Sequence, residues 1–147
     1  MNPLFKGAMG ETVVKLNLIE AGYVVSQPEL ATTYDLIVET ENGDLLKIQV
    51  KSSVPNSDGI LKFDIRRSHS AGRVYKKNDF DILAVVNLTT KEVAYVPYNE
   101  IDTRRQLSFE TNATRSKRGC RRHAFLFEKY QNFDWLKLQN YETSCLD

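Results

Sequence analysis

An α/β fold with a mixed central sheet flanked by helices is predicted by three features of the chain. A helical apolar stripe runs through residues 5–21. Two strand-like segments, 34–40 (YDLIVET) and 44–53 (DLLKIQVKSS), then flank a Glu41-Asn42-Gly43 turn signal. Farther on, the unbroken apolar run 81–88 (DILAVVNL) has the composition of a strand covered on both faces, as sheet centres in α/β proteins are.

The elements follow in order. Ala8, Met9, Val13, Val14, Leu16, Leu18 and Ile19 keep the helical stripe, and Gly22 stops it. Glu11 stands three residues before Val14 and seven before Leu18, so the pattern turns its carboxylate inward. An inward helical carboxylate is costly unless a metal ion or a buried lysine pairs with it. Residues 23–26 form a short first strand, and 27–32, containing Pro28, a loop.

The hairpin turn decides which side chains share a face. A two-residue Asn42-Gly43 turn would set Asp35 opposite Val50, on the other face from Gln49. A three-residue loop, with Gly43 in the left-handed region beside a bulge, sets Asp35 opposite Gln49 and Lys51 on the diagonal. The apolar residues choose between them. In the second register Leu36 meets Ile48 and Val38 meets Leu46, giving one core face, whereas the first mixes faces. Asp35, Gln49 and Lys51 are therefore expected on one face from hydrophobic pattern alone.

After a polar turn at 55–59, residues 61–65 alternate weakly as a further strand ending in Arg66 and Arg67. Residues 68–78 read as a long polar loop. The central strand 81–88 turns through 89–91 into a hairpin partner at 93–97, and 99–103 reads as a helical turn. No periodicity is visible in 104–122. A short strand is expected at 124–127 and a short amphipathic helix at 133–138. Without a repeat or a composition break, 1–147 reads as one domain, a core at about 5–101 followed by a basic extension at about 102–147.

Composition narrows the classes. The 41% apolar and 27% charged content is that of a globular protein. No apolar run reaches the ~20 residues a membrane span needs, and the first residues lack a signal-peptide layout. Cys120 and Cys145 stand too far apart for a metal or redox pair, so a reducing cytoplasm is the expected compartment. Net charge is only +1, but it is unevenly spread: acidic residues outnumber basic ones two to one in 1–60, while 61–130 hold fifteen Lys/Arg against eight Asp/Glu. An acidic centre beside a polyanion-facing part is the implied arrangement.

Glu11, Asp35, Gln49 and Lys51 combine two carboxylates, an amide and an ammonium on one helix and one hairpin, the equipment a divalent metal and a phosphodiester require. The stretches G10-E11, Y34-D35-L36-I37-V38 and Q49-V50-K51-S52-S53 resemble the PD-(D/E)XK nuclease superfamily, within it the group I intron-encoded homing endonucleases of the cyanobacterial transfer-RNA-intron type. The resemblance covers about residues 5–53, with 79–86 and 94–101 fitting later strands of the same core. It implies a restriction-endonuclease-like core and Mg²⁺-dependent hydrolysis of DNA, with Mn²⁺ able to substitute. Glu11, Asp35, Gln49 and the Val50 carbonyl would ligate the metal, and Lys51 would orient water or stabilise the transition state. The departure is Gln49, where the family pattern has an acid; an amide oxygen can ligate a hard cation but brings no charge.

The DNA-binding candidates are Arg66, Arg67, Arg73, Lys76 and Lys77 after the core strands, and Arg115, Lys117, Arg118, Arg121 and Arg122 in the dense basic segment. Phosphate contacts from these would make affinity steeply salt-dependent. Ser52 and Ser53 read as ordinary strand hydroxyls, and Tyr75 and Trp135 as packing. The expected partner is double-stranded DNA, cut by a homo-oligomer that is a dimer at least and a tetramer by resemblance. A Holliday-junction resolvase on the same core, a binding-only protein on a decayed nuclease fold, and a structural α/β protein with a solvated charged face stay open as alternatives.

Overall fold

The computed structural model describes residues 1–66, 74–101, 105–119 and 123–133. Helix α1 (Pro3–Glu20) opens the chain; Asn2 caps it by accepting from the Leu4 amide at 2.9 Å, and Pro3 occupies the first helical position, where no N–H is needed. Its far end is closed by the Gly22 and Tyr23 amides, which donate back to the Ile19 and Leu18 carbonyls.

Strands β1 (Val24–Ser26), β2 (Leu36–Glu39), β3 (Leu45–Ser53), β4 (Leu61–Asp64), β5 (Ile82–Asn87) and β6 (Glu92–Pro97) follow, then helix α2 (Tyr98–Ile101), strand β7 (Gln106–Glu110), helix α3 (Asn112–Arg118), strand β8 (Phe125–Leu126) and a 3-10 turn at Phe127–Tyr130. The main sheet has the order β1-β2-β3-β5-β6. Its β3–β5 pairing is parallel and the other pairings are antiparallel, so it is mixed as expected. The β2–β3 hairpin has the three-residue loop: Leu36 pairs with Ile48 and Val38 with Leu46. Gly43 takes φ +84 and donates to the Thr40 carbonyl, a backbone conformation that favours glycine.

Alternation sends the apolar residues of β5 and β6 to two cores, while those of β3 face only one. Leu46, Ile48 and Val50 of β3, Ile82, Ala84 and Val86 of β5, and Val93 and Tyr95 of β6 pack beneath Val14 and Leu18 of α1. On the opposite face Leu83, Val85, Ala94 and Val96 meet Leu61, Phe63, Leu107, Phe109 and Phe127. All six residues of β5 are buried, the doubly covered strand that its composition predicts.

The second face is covered by a small sheet of order β4-β7-β8. Strands β4 and β8 match the strands expected at 61–65 and 124–127, while β7 lies in 104–122, where no element is expected from sequence. Strand β7 buries only Leu107 and Phe109 in alternation before Glu110 interrupts the apolar pattern, and α3 buries no residue, so neither left a periodic trace. The expected helix at 133–138 falls outside the described residues, except for Phe133. The α1 stripe is also narrower than predicted. Gly10, Val14 and Leu18 are buried, whereas Leu16 and Ile19 are 56% and 59% exposed.

Candidate active site

The site forms where β2 ends. The last β2–β3 pair is Leu36 with Ile48, followed by one bond from the Asp35 amide to the Ile48 carbonyl at 2.8 Å. Beyond it β3 continues to Ser53 paired with β5, and among the described residues no strand pairs with its other edge. A cleft of about 380 Å³ lies along that edge; Glu11, Gln27, Asp35, Gln49, Lys51 and Tyr75 are among its lining residues. All four side chains predicted from sequence thus reach one cavity.

Asp35 takes over the role of the missing strand. Its Oδ2 accepts the Val50 amide at 2.8 Å and the Gln49 Nε2 at 2.7 Å. A carboxylate oxygen therefore satisfies a main-chain donor that a β2 carbonyl would otherwise take. Gln49 is buried, and its Nε2 also donates to the Val50 carbonyl at 3.2 Å. The amide thus presents its NH₂ to Asp35 and to the Val50 oxygen, two of the atoms assigned to a metal from sequence.

Glu11 arrives from the other side of the sheet. The residue before it, Gly10, lies so close to β3 that an added Cβ would sit 2.9 Å from the Ser52 Cβ. Only a residue without a side chain lets α1 approach this near. Ser52 seals the seam by donating its hydroxyl to the Lys6 carbonyl at 3.0 Å, so its role is to join helix and strand. Glu11 is half-buried, one position round from the buried row and not inside it. Gln27 braces it: the Gln27 Nε2 donates to Glu11 Oε2 at 3.2 Å, and Gln27 Oε1 accepts from Lys15 Nζ at 2.9 Å. In the sequence Gln27 stands in a loop and nothing local distinguishes it, because its partners lie a helix away.

Burial governs the electrostatics. Desolvation raises the Asp35 carboxyl above its ordinary value, against the Val50 hydrogen bond and the Lys51 charge. Glu11 is raised by desolvation and then by Asp35, with Lys15 and Gln27 opposing. Lys51 is lowered by desolvation despite the pull of Asp35 and Asp64. Two carboxylates that repel each other in a partly dry cleft are what a cation relieves. The donor set fits Mg²⁺, which uses one or two carboxylates and keeps its waters, and among the described residues no larger His/Cys/Asp/Glu cluster competes for a metal.

Lys51 makes no ion pair or hydrogen bond among the described residues; its ammonium lies 5.6 Å from the centre of the Tyr75 ring. Tyr75 does pack, as expected, against Phe80 with centroids 5.0 Å apart, but it also lines the cleft.

The basic candidates divide. Lys76 and Lys77 are exposed directly after Tyr75, and Lys117 is exposed on α3. Arg66 pairs with Asp64, whose carboxyl its hydrogen bonds pull down to about 2, and Arg118 pairs with Asp58. Arg115 pairs with Glu110, which is 1% exposed; that contact belongs to the packing of α3 on β7. Arg67, Arg73, Arg121 and Arg122 lie outside the described residues.

Comparison with known proteins agrees with this architecture. The sequence pattern described as PD-(D/E)XK endonuclease matches residues 1–133. Protein 5.3 of Escherichia phage T7 is 37% identical over 82 residues, which cover 54% of this chain and 69% of that protein. The structure of a bacterial homing endonuclease, I-Ssp6803I, superposes with a TM-score of 0.74 at 22% identity, covering 100% of both chains, a likeness of fold.

Proposed function

The chain belongs to the PD-(D/E)XK endonuclease family, and from that premise we propose that it is a sequence-specific double-strand DNA endonuclease of the homing type, hydrolysing phosphodiesters with Mg²⁺. The observation that carries the reading is the convergence of Glu11, Asp35, Gln49 and Lys51 on one cleft at the edge of β3 beyond β2.

Asp35 and Glu11 would hold the metal, directly or through water, with Gln49 and the Val50 carbonyl completing the shell. Bound there, Mg²⁺ supplies a water acidified for attack and neutralises charge on the phosphate. For Gln49 to offer oxygen, its amide has to turn over and release Asp35 and the Val50 carbonyl. Lys51 brings a desolvated ammonium, whose attraction to the negative charge on the phosphoryl oxygens in the transition state is strongest in a dry site. Lys76, Lys77 and Lys117 supply phosphate contacts. One cleft per chain cuts one strand, so cutting a duplex takes two copies, and a dimer or tetramer in the cytoplasm is the working form.

A second reading, a binding-only protein, is favoured by the Gln49 amide, a neutral donor to Asp35 where the family pattern has an acid. The test is incubation with a plasmid pool carrying genomic segments, with and without Mg²⁺. Discrete linear products that need Mg²⁺ and vanish in Asp35→Asn support the endonuclease. Salt-sensitive binding without cutting supports the binding-only protein.

A further inference from the structure

We propose that Tyr75 is a positioning residue for Lys51: its ring face holds the lysine ammonium in place for the scissile phosphate. This rests on the nuclease reading above, since it assigns a partner to that reading's cationic group.

Three observations carry it. First, the sheet fixes where Lys51 starts but not where it ends. Pairing with Val85 sets the strand position, while the side chain keeps four flexible carbons. Second, the described contact of the ammonium is the Tyr75 face at 5.6 Å, within the ~6 Å over which a ring attracts a cation. Third, the ring is itself immobilised. It meets Phe80 edge to face at 5.0 Å; Phe80 is fully buried and meets Tyr98 at 5.3 Å in the same manner. Tyr98 then closes the circuit, its hydroxyl donating to the Tyr75 main-chain carbonyl at 3.0 Å.

The chemistry explains why a ring serves better than an acid. A carboxylate holding Lys51 would cancel its charge and compete for the metal. An aromatic face attracts the ammonium, carries no charge and ligates no Mg²⁺. Asp35 thus stays available to a cation although Lys51 lies close enough to pull its carboxyl downward.

The test uses the full chain. Tyr75 is replaced by Phe, by Leu, and by phenylalanines of increasing fluorine content, which keep the ring's shape while draining its negative face. Carbon–proton NMR of the Lys51 ε-methylene, recorded without DNA, reports the ring contact. Mg²⁺-dependent cutting and salt-dependent retention of the plasmid pool report function. We expect an upfield ε-methylene in the unaltered protein and in Tyr75→Phe, with turnover of the two within about twofold, because Phe keeps the face. Tyr75→Leu should lose the shift and about tenfold in turnover, with DNA retention unchanged. Turnover should fall stepwise with fluorination. An ordinary ε-methylene position in the unaltered protein, or turnover indifferent to fluorination, overturns the proposal. The fluorinated series decides the matter even if Tyr75→Leu fails to fold. If the unaltered protein does not cut, the nuclease reading and the positioning role fail together, while the NMR shift still reports whether the contact exists.

Discussion

Gln49 donates its Nε2 to Asp35 Oδ2 at 2.7 Å, and the Val50 amide donates to the same oxygen at 2.8 Å. Two donors thus converge on one oxygen of a carboxyl that burial pushes upward. An acid at position 49 would face Asp35 as a second negative charge; the amide is a neutral donor that stabilises it. The site is thereby tolerable without a cation.

Gln49→Glu should reverse that balance. A hydrogen bond to a charged group is worth ~2 kcal/mol, and its replacement by repulsion should lower the metal-free melting temperature by several degrees. Added Mg²⁺ should recover the loss and raise the melting point more than in the unaltered protein. Cutting should be impaired. Thermal melts in EDTA and in Mg²⁺ measure this; identical melts in EDTA would show that the Gln49–Asp35 contact contributes nothing.

Lys51→Ala and Asp35→Asn should each reduce cutting by about a hundredfold or more, as loss of a preorganised charged group does, while DNA retention on a filter stays nearly intact. Asp35→Asn is chosen because its oxygen can still accept from the Val50 amide. Loss of binding in either variant would assign that residue to the fold or the interface.

Glu11→Gln should stabilise the metal-free protein in a pH-dependent way. Folding raises the Glu11 carboxyl above its ordinary 4.5. Its favourable contribution is therefore complete below 4.5 and is lost as pH climbs through the raised value. Removing the charge should gain roughly 1–3 °C at pH 7 and nothing in acid. Asp64, pulled down to about 2, has the opposite sign: its contribution is present above 3.8 and is lost as pH falls toward about 2. Melting curves across pH test this, and a Glu11→Gln gain that grows in acid would contradict it.

Arg115→Ala and Lys117→Ala should separate folding from DNA contact. Arg115→Ala strips the buried Glu110 of an ion-pair partner and should cost roughly 2–3 kcal/mol, less than a fully buried pair because the arginine is partly exposed. Lys117→Ala should leave the melting temperature within about 1 °C and lower the salt dependence of DNA binding by about one phosphate contact. Equal stability losses in the two would refute the division.

Much of the site was legible because it rests on short-range pattern. The register that unites Asp35 with Gln49 follows from matching Leu36 to Ile48, and the later central strand from its unbroken apolar run. Gln27 and Tyr75 were not legible as site residues: each reaches the cleft through long-range packing, one against α1 and the other through Phe80 and Tyr98. Two strands of the small sheet, β4 and β8, were legible as the segments 61–65 and 124–127, and β7 was not, for a related reason. That strand is short, and the buried Glu110 breaks the alternation by which it would have been recognised.

The bond from the Val50 amide to Asp35 bears on how relatives of this chain are read. Asp35 doubles as the seal on a sheet edge, so a descendant that had given up hydrolysis would still have cause to keep it. Lys51 seals no sheet edge: it makes no hydrogen bond or ion pair among the described residues, and burial disfavours its charged form. In this lineage a retained aspartate attests to architecture, and the lysine two residues past the amide is the better witness to chemistry.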